Sequence, residues 1–490
     1  MKKILILTLA AILLLTACSS SALVETGKTG EPVGEETASS GSTTETRGAH
    51  DPTGFSTGFA REDITPDYSV PLGGYNGGRF STKVLDDVYV TCVAISDGED
   101  TLLFYSYDLI NIYLNFGETV RSLVAKATGV PEENILLNAT HTHSAPALGS
   151  TEGIIATWLR TTYLASVEVA KAAIADLDKT ELKVAKTETD RLNFNRRYFA
   201  SDGGFVTDNY STSTTNVCVS HETQVDQEMR IVYFDRANQP DIVFSNWQCH
   251  PHRTGGGKKT DMSADIIGPF RDKVEEELGV KFMYLQGGAG NCNETSRISG
   301  ETRFTEYREH GRALADALIA GIQKLVPAES GKVRAERRVF TATVRHTEDH
   351  LVPVAEEVNV LSNAGKYDEA TELAKAKGLT SRYEASEIIH RAGLGETEDF
   401  YLYCYAFGSV GIATAPFEIF DTTAKYVRDN SPFEFNLYCG YSNDRRQYLP
   451  TALSFQNKGY EYCCCRYVSG TAEAISEVHL EMLADLYAIR

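Results

Sequence analysis

One stretch constrains this chain more than any other: Ile135-Leu136-Leu137-Asn138-Ala139-Thr140-His141-Thr142-His143-Ser144-Ala145-Pro146. An apolar run with strand character empties into a polar cluster that proline stops. In extended backbone, residues two apart point the same way, so His141 and His143 are expected to project together. Two imidazoles at the mouth of a strand suit a divalent metal, or one ligand beside one proton-transfer group. The same pattern also fits a solvated loop, so the decision rests on the partners that the rest of the chain offers.

Four further strand ends carry polar groups. They are Asn246-Trp247-Gln248-Cys249-His250-Pro251-His252 followed by Ser263-Ala264-Asp265, Gly287 to Asn293, Ala415-Pro416-Phe417-Glu418, and Gly440-Tyr441-Ser442-Asn443 with Tyr448 beyond it. Clustering at strand ends is how open α/β sheets build clefts. Together these ends supply two imidazoles, a carboxylate and a phenol, with a position left for water, a set suited to catalytic zinc (Zn2+). His252 reads as a structural hydrogen-bonder. Asp265 reads either as an acceptor orienting His250 or as a helix cap.

The secondary-structure pattern interleaves helices and strands. Asp97-Gly98 marks a hairpin between Asp87–Ile95 and Thr101–Tyr105. A helix over Glu118–Thr128 is capped by Gly129 and closed by Pro131. Another spans Trp158–Leu177 with Leu164, Val167, Ile174 and Leu177 as its stripe. Strands are expected over Leu182–Thr189, Met229–Phe234, Asp241–Trp247 and Phe282–Leu285. Further on come a helix over Glu306–Leu325, a strand over Val333–Val344 and helical segments between Ala364 and Ala392. A second hairpin joins Tyr401–Phe407 to Ser409–Thr414. The class is α/β, with mixed β-sheets flanked by helices in a single large catalytic domain and the metal site at strand ends.

The N-terminus gives an address. Lys2 and Lys3 precede the apolar run Ile4–Leu15, too short to span a bilayer comfortably and laid out as a secretory signal. Leu15-Thr16-Ala17-Cys18 resembles a bacterial lipobox, which implies cleavage before Cys18 and lipidation of its thiol. Residues 1–17 are thus a signal peptide, 18–52 a Ser/Thr/Gly/Glu-rich tether, and 53–490 the catalytic domain. The protein is expected outside the cytoplasm, on a bacterial membrane through lipidated Cys18 only. A formal charge of −20 argues against nucleic acid and against a polybasic membrane face. Of ten cysteines, nine remain beyond Cys18. Most are expected as buried free thiols, with room for one or two disulfides.

The sequence resembles the neutral (alkaline, non-lysosomal) ceramidases and their bacterial relatives. The resemblance runs in order through Gly58-Phe59-Ala60-Arg61-Glu62-Asp63-Ile64-Thr65-Pro66, Gly73-Gly74-Tyr75, the Thr140-His141-Thr142-His143-Ser144 block, Asn193–Arg197 and Val225-Asp226. It continues through Trp247–Pro251, Ser263-Ala264-Asp265, Pro416-Phe417-Glu418, Asn443–Pro450 and Tyr460-Glu461. It implies zinc on His141, His250, Glu418 and Tyr448, with His143 beside the water and Arg196 at the substrate or the developing charge. It also implies hydrolysis of an N-acyl amide, a ceramide-like lipid amide or a small-molecule amide, to acid and amine. Zinc lowers the pKa of bound water from ~15.7 to about 7, giving a hydroxide to attack the carbonyl. His143 would move the proton, and Arg196 or Tyr460 would stabilise the oxyanion.

Two departures stand out. Gly290-Asn291-Cys292-Asn293-Glu294 replaces a family block resembling Gly-Asp-x-Ser-Pro-Asn, so its serine is missing. About thirty residues follow Tyr460, so the further β-sandwich domain of full-length ceramidases is not expected. Two other readings remain: an amidase using Cys292 as nucleophile, and a lipid-anchored binding protein that kept the pocket without turnover.

Overall fold

Alternation of apolar side chains sets the layers. Along the strand Tyr89–Ser96, Val90, Cys92 and Ala94 face one core while Val93 and Ile95 face another, as a two-residue repeat requires. The computed structural model of the chain describes residues 54–75, 78–148, 153–256 and 259–489. The expected signal peptide and the whole of the tether, Cys18 included, lie outside the described residues. Residues His50–Arg490 cluster as one compact unit.

A nine-stranded mixed sheet carries the strands in the order Lys281–Gln286, Ile242–Trp247, Glu228–Arg236, Asp178–Glu188, Ser56–Asp63, Tyr89–Ser96, Thr101–Tyr107, Ile135–Ala139. The short strand Val326–Pro327 pairs with Asp178–Glu188. Neighbours run antiparallel except at the two ends, where Ile242–Trp247 lies parallel to Lys281–Gln286 and Thr101–Tyr107 parallel to Ile135–Ala139. A second sheet orders Val333–Thr343, Thr397–Phe407, Val410–Thr414 and Phe435–Cys439, the last two parallel. The sheets share one core, in which Phe104, Phe234 and Phe244 meet Tyr405, Phe407 and Ile412.

Helices cover both outer faces. Leu114–Thr128 and Gly153–Ala175 cover half of the larger sheet, and Ile267–Leu278 with Tyr307–Ile322 the other half. Asp421–Asn430 and Thr471–Ala488 cover the smaller sheet. The layers are therefore helix, sheet, sheet, helix, the mixed α/β class expected. Among the described residues no helix is long and apolar enough to cross a membrane.

Three expectations are corrected. The helix Gly153–Ala175 buries Trp158, Leu159, Val169, Ala170 and Ala173; of the expected stripe, Val167, Ile174 and Leu177 pack partly buried against the same core, while Leu164 is 61% exposed. Small residues face inward because the strand below comes very close: a Cβ on Gly58 would fall 2.0 Å from the Ala173 carbonyl oxygen. The allowance for disulfides also fails, since all nine cysteines of the described residues are free and buried. They are dispersed among separate cores, Cys92 under one sheet face, Cys404 and Cys465 under another, Cys249 in a third. Finally, the expected helical stretch begins earlier: Val352–Asn363 joins Tyr367–Ala376 and Arg382–Ala392 in a three-helix group with its own small core.

Candidate metal centre and its cavity

The three parallel strand pairs send their carboxyl ends to one place. After Ala139 come His141 and His143, after Trp247 comes His250, after Thr414 comes Glu418, and after Cys439 come Tyr441 and Tyr448. Buried asparagines tie these ends together. The Gln286 N–H donates to Asn138 Oδ1 (2.9 Å), Asn138 Nδ2 donates to the Gly440 carbonyl (2.8 Å), and Asn246 Nδ2 donates to the Tyr438 carbonyl (3.0 Å). Strands of the two sheets that no backbone ladder joins are thus spliced by side-chain amides.

His141 and His143 do converge, but not by the pleat expected of an extended strand. The strand stops at Ala139, and His141 takes a left-handed φ of 69°. Such backbone is costly for a non-glycine residue and persists where its surroundings hold it. Here the ring is held twice, by Nδ1–H donating to the Ile110 carbonyl (2.6 Å) and by Tyr441, whose centroid lies 4.1 Å away. His143 Nε2 then sits 3.3 Å from His141 Nε2. Gly74 backs it at φ +95°, where a Cβ would fall 2.6 Å from His143 Nδ1, so only glycine fits.

His250 is oriented by main-chain carbonyls. Its Nδ1–H points at the Ala289 oxygen (2.8 Å) and the Cys292 oxygen (3.1 Å). The orienting role considered for Asp265 is therefore corrected. Asp265 accepts from the Thr254 N–H (2.7 Å), the Thr254 hydroxyl (2.6 Å) and the Ile266 N–H (2.8 Å), and so pins the loop entering the helix Ile267–Leu278.

Glu418 and Tyr448 arrive together because the strand Glu418–Ile419 pairs parallel with Tyr448–Leu449. Glu418 Oε2 lies 3.2 Å from His250 Nε2 and 3.4 Å from His141 Nε2, and the Tyr448 hydroxyl lies 3.3 Å from His250 Nε2. Since carbonyls claim the Nδ1 side of both rings, each turns its Nε2 toward that carboxylate, and Arg196 Nη1 lies 3.4 Å from the Nε2 of His250. Burial, with Arg196 adding to it, pushes the His250 pKa down to about 3, so at neutral pH no proton relieves the contact. Imidazole nitrogens and a carboxylate gathered out of water form a donor set that a metal ion can share. The ligand atoms of His141, His143 and His250 all lie within 4.8 Å of one another, a cluster that suits a metal ion.

Arg196 flanks this group. Its Nε donates to Glu461 Oε1 (2.8 Å), its guanidinium lies 5.2 Å from the Tyr448 ring centre, and its Nη2 is buried without a partner. Tyr460 packs 5.5 Å from Tyr448, centroid to centroid, and lines the cavity over the cluster. That cavity holds about 440 Å³ and adjoins a smaller compartment of about 130 Å³ that shares His143, Tyr75, Tyr383, Tyr448 and Tyr460. His252 is held by Glu294, its Nδ1 2.5 Å from Oε2 and its N–H donating to Oε1 at 2.9 Å. This is the structural role expected of it.

Cys292 is brought close but walled off. It is fully buried, and burial, reinforced by Asp421, holds its thiol well above the usual range. A protonated, enclosed thiol is no nucleophile, and the residue serves through its carbonyl, which accepts from His250. Sequence reasoning assigned no role to Tyr75, Tyr383, Tyr441 or Glu461. Tyr75 and Glu461 stood inside noted motifs, and Tyr441 at a noted strand end. Tyr383, on the helix Arg382–Ala392, carried no local signal.

No protein-family model matches the sequence, and no curated protein does. Among solved structures, neutral ceramidase from Pseudomonas aeruginosa matches with a TM-score of 0.66 and 17% identity, over 89% of this chain and 75% of that one. A ceramidase complexed with C2 matches with a TM-score of 0.66 and 16% identity, over 89% of this chain and 76% of the other. The architecture built up above, two packed mixed sheets between helical layers, is the fold of these ceramidases.

Proposed function

We propose that this chain is a zinc-dependent hydrolase that splits an N-acyl amide into a carboxylic acid and an amine. The observation that carries the proposal is the convergence of two imidazole Nε2 atoms, the Glu418 carboxylate and the Tyr448 phenol at the floor of a cavity. His141, His250, Glu418 and Tyr448 would hold the ion, a nitrogen and oxygen donor set suited to zinc. Zinc in such a site polarises a carbonyl and lowers the pKa of water from ~15.7 to about 7.

The chain's own groups supply the rest. His143, whose Nε2 lies beside His141 and whose Nδ1 has no partner among the described residues, is placed to take a proton at one stage and return it to the leaving amine. The unpartnered Arg196 Nη2 and the Tyr460 hydroxyl would hold the substrate carbonyl oxygen as charge builds on it, worth roughly 3–4 kcal/mol for a good donor. Likeness to two ceramidases supports a lipid amide such as ceramide as the first substrate to try. We also propose that the protein works outside the cytoplasm, tethered through lipidated Cys18.

The test is amine release from a panel of N-acyl amides by purified protein, with metal analysis of the same sample. The proposal expects turnover that a chelator abolishes and zinc restores. Turnover indifferent to the chelator, or none in a zinc-loaded sample, would reject it.

A further inference from the structure

The cavity that His141 and His143 line carries further charge. Arg445 Nη2 donates to Gln447 Oε1 (3.1 Å), and Gln447 Nε2 donates to Glu387 Oε1 (3.3 Å). Arg445 Nε and Glu387 Oε2 have no hydrogen-bond partner, and neither side chain forms an ion pair among the described residues. A carboxylate and a guanidinium bridged by one amide, the guanidinium lying 5.3 Å from the Tyr113 ring centre, thus share the lining of the space above the metal cluster.

The remaining lining is also rich in hydrogen-bonding groups. Tyr75, Asn111, Tyr113, Tyr383 and Ser386 contribute to it, against aliphatic Leu72, Ile110 and Ala147. None of the large apolar side chains exposed among the described residues lines either compartment. A long hydrocarbon chain gains from burial only against an apolar wall, and here it would strip water from groups it cannot replace as a partner. A ligand carrying opposite ionic groups would instead satisfy Arg445 and Glu387 directly, the planar guanidinium matching a carboxylate.

We infer, resting on the amide-hydrolase reading, that the substrate is a short-acyl amide bearing ionic groups rather than a long-chain lipid amide. Its carboxylate is set against Arg445 and its ammonium or hydroxyl against Glu387. An Nα-acylated diamino acid presents this arrangement.

Nα-acetyl-lysine and a C16 ceramide in detergent micelles are the probes, assayed for amine release with the zinc-supplemented protein. The expected result is a kcat/KM for acetyl-lysine at least ~10-fold above that for ceramide. Arg445→Gln should raise the KM for acetyl-lysine ~10- to 100-fold, by more than it lowers kcat. Glu387→Gln should narrow the preference for acetyl-lysine over Nα-acetyl-norleucine, which lacks the ammonium. Faster turnover of ceramide overturns the inference, as do KM values within about twofold of the parent in both variants. If neither amide is cleaved, the hydrolase reading fails, and calorimetric titration of acetyl-lysine then decides the inference by itself. Binding that Arg445→Gln weakens upholds the polar ligand, and absence of binding overturns it.

Discussion

Replacing Glu461 with glutamine removes one negative charge from a place where two arginines depend on it. Glu461 is fully buried, with Oε1 accepting from Arg196 Nε (2.8 Å) and Oε2 from Arg197 Nη1 (2.6 Å). Arg197 keeps Glu222 through two bonds of 2.6 and 2.9 Å, but Arg196 is left with Asp208 at 3.6 Å. A glutamine amide turned toward Arg197 would also set donor against donor. Breaking a buried pair by removing one partner costs about 3–5 kcal/mol. Unfolding entropy of about 2.1 cal/mol/K per residue, taken over residues 50–490, gives about 0.9 kcal/mol per kelvin. The Tm should therefore fall by about 3–5 °C. Amide turnover should fall with it as Arg196 loses its orientation, while zinc content holds, since none of the proposed ligands touches Glu461. The double variant Glu461→Gln/Arg196→Met removes the stranded charge and should regain most of the stability but none of the activity. Calorimetry and metal analysis read these effects. A Glu461→Gln protein within about 1 °C of the parent and equally active would refute the reasoning.

Three further outcomes are expected. Cys292→Ala should keep most of the activity, whereas Glu418→Gln should hold zinc weakly and lose turnover, and His143→Ala should retain zinc while kcat drops ~10²–10⁴-fold. Kinetics against metal content across the three separates metal chemistry from thiol chemistry, and an inactive but zinc-loaded Cys292→Ala protein would contradict the account. His479 donates from Nε2 to the Thr414 carbonyl (3.0 Å), and burial lowers its pKa to about 4. The unfolded chain protonates it near 6.5. Its stabilising contribution is therefore full above about pH 6.5 and declines as pH falls toward 4. Denaturant midpoints should drop less steeply over that range in His479→Gln, and parallel curves would refute the assignment. Cys18→Ser should release the protein from membrane fractions, and membrane association that persists through an uncleaved N-terminus would overturn the anchor.

The site was legible because its chemistry gathers where apolar runs stop, and the parallel strand pairs bring those stops to one side. The strand-end pattern offered two imidazoles, a carboxylate and a phenol, and the ceramidase resemblance implied His141, His250, Glu418 and Tyr448 among them. Their orientation could not be read. The positive φ of His141, the carbonyls that hold His250 and the loop-pinning role of Asp265 all depend on contacts made across long sequence distances. The layering was readable in the alternation of Val90 to Ile95, but the buried face of Gly153–Ala175 was not. Bulky residues mark a stripe in sequence, whereas close approach to Gly58 selects alanines. Tyr383 came from a three-helix group with its own core, which no motif connected to the site.

Metal content tests the central claim most directly. Zinc per chain should be measured by elemental analysis in the parent, His141→Ala and His250→Ala proteins, each shown folded by circular dichroism. The account predicts one zinc per parent chain and its loss in both variants, because each removes one of the four proposed ligands. Variants that retain as much zinc as the parent would contradict it.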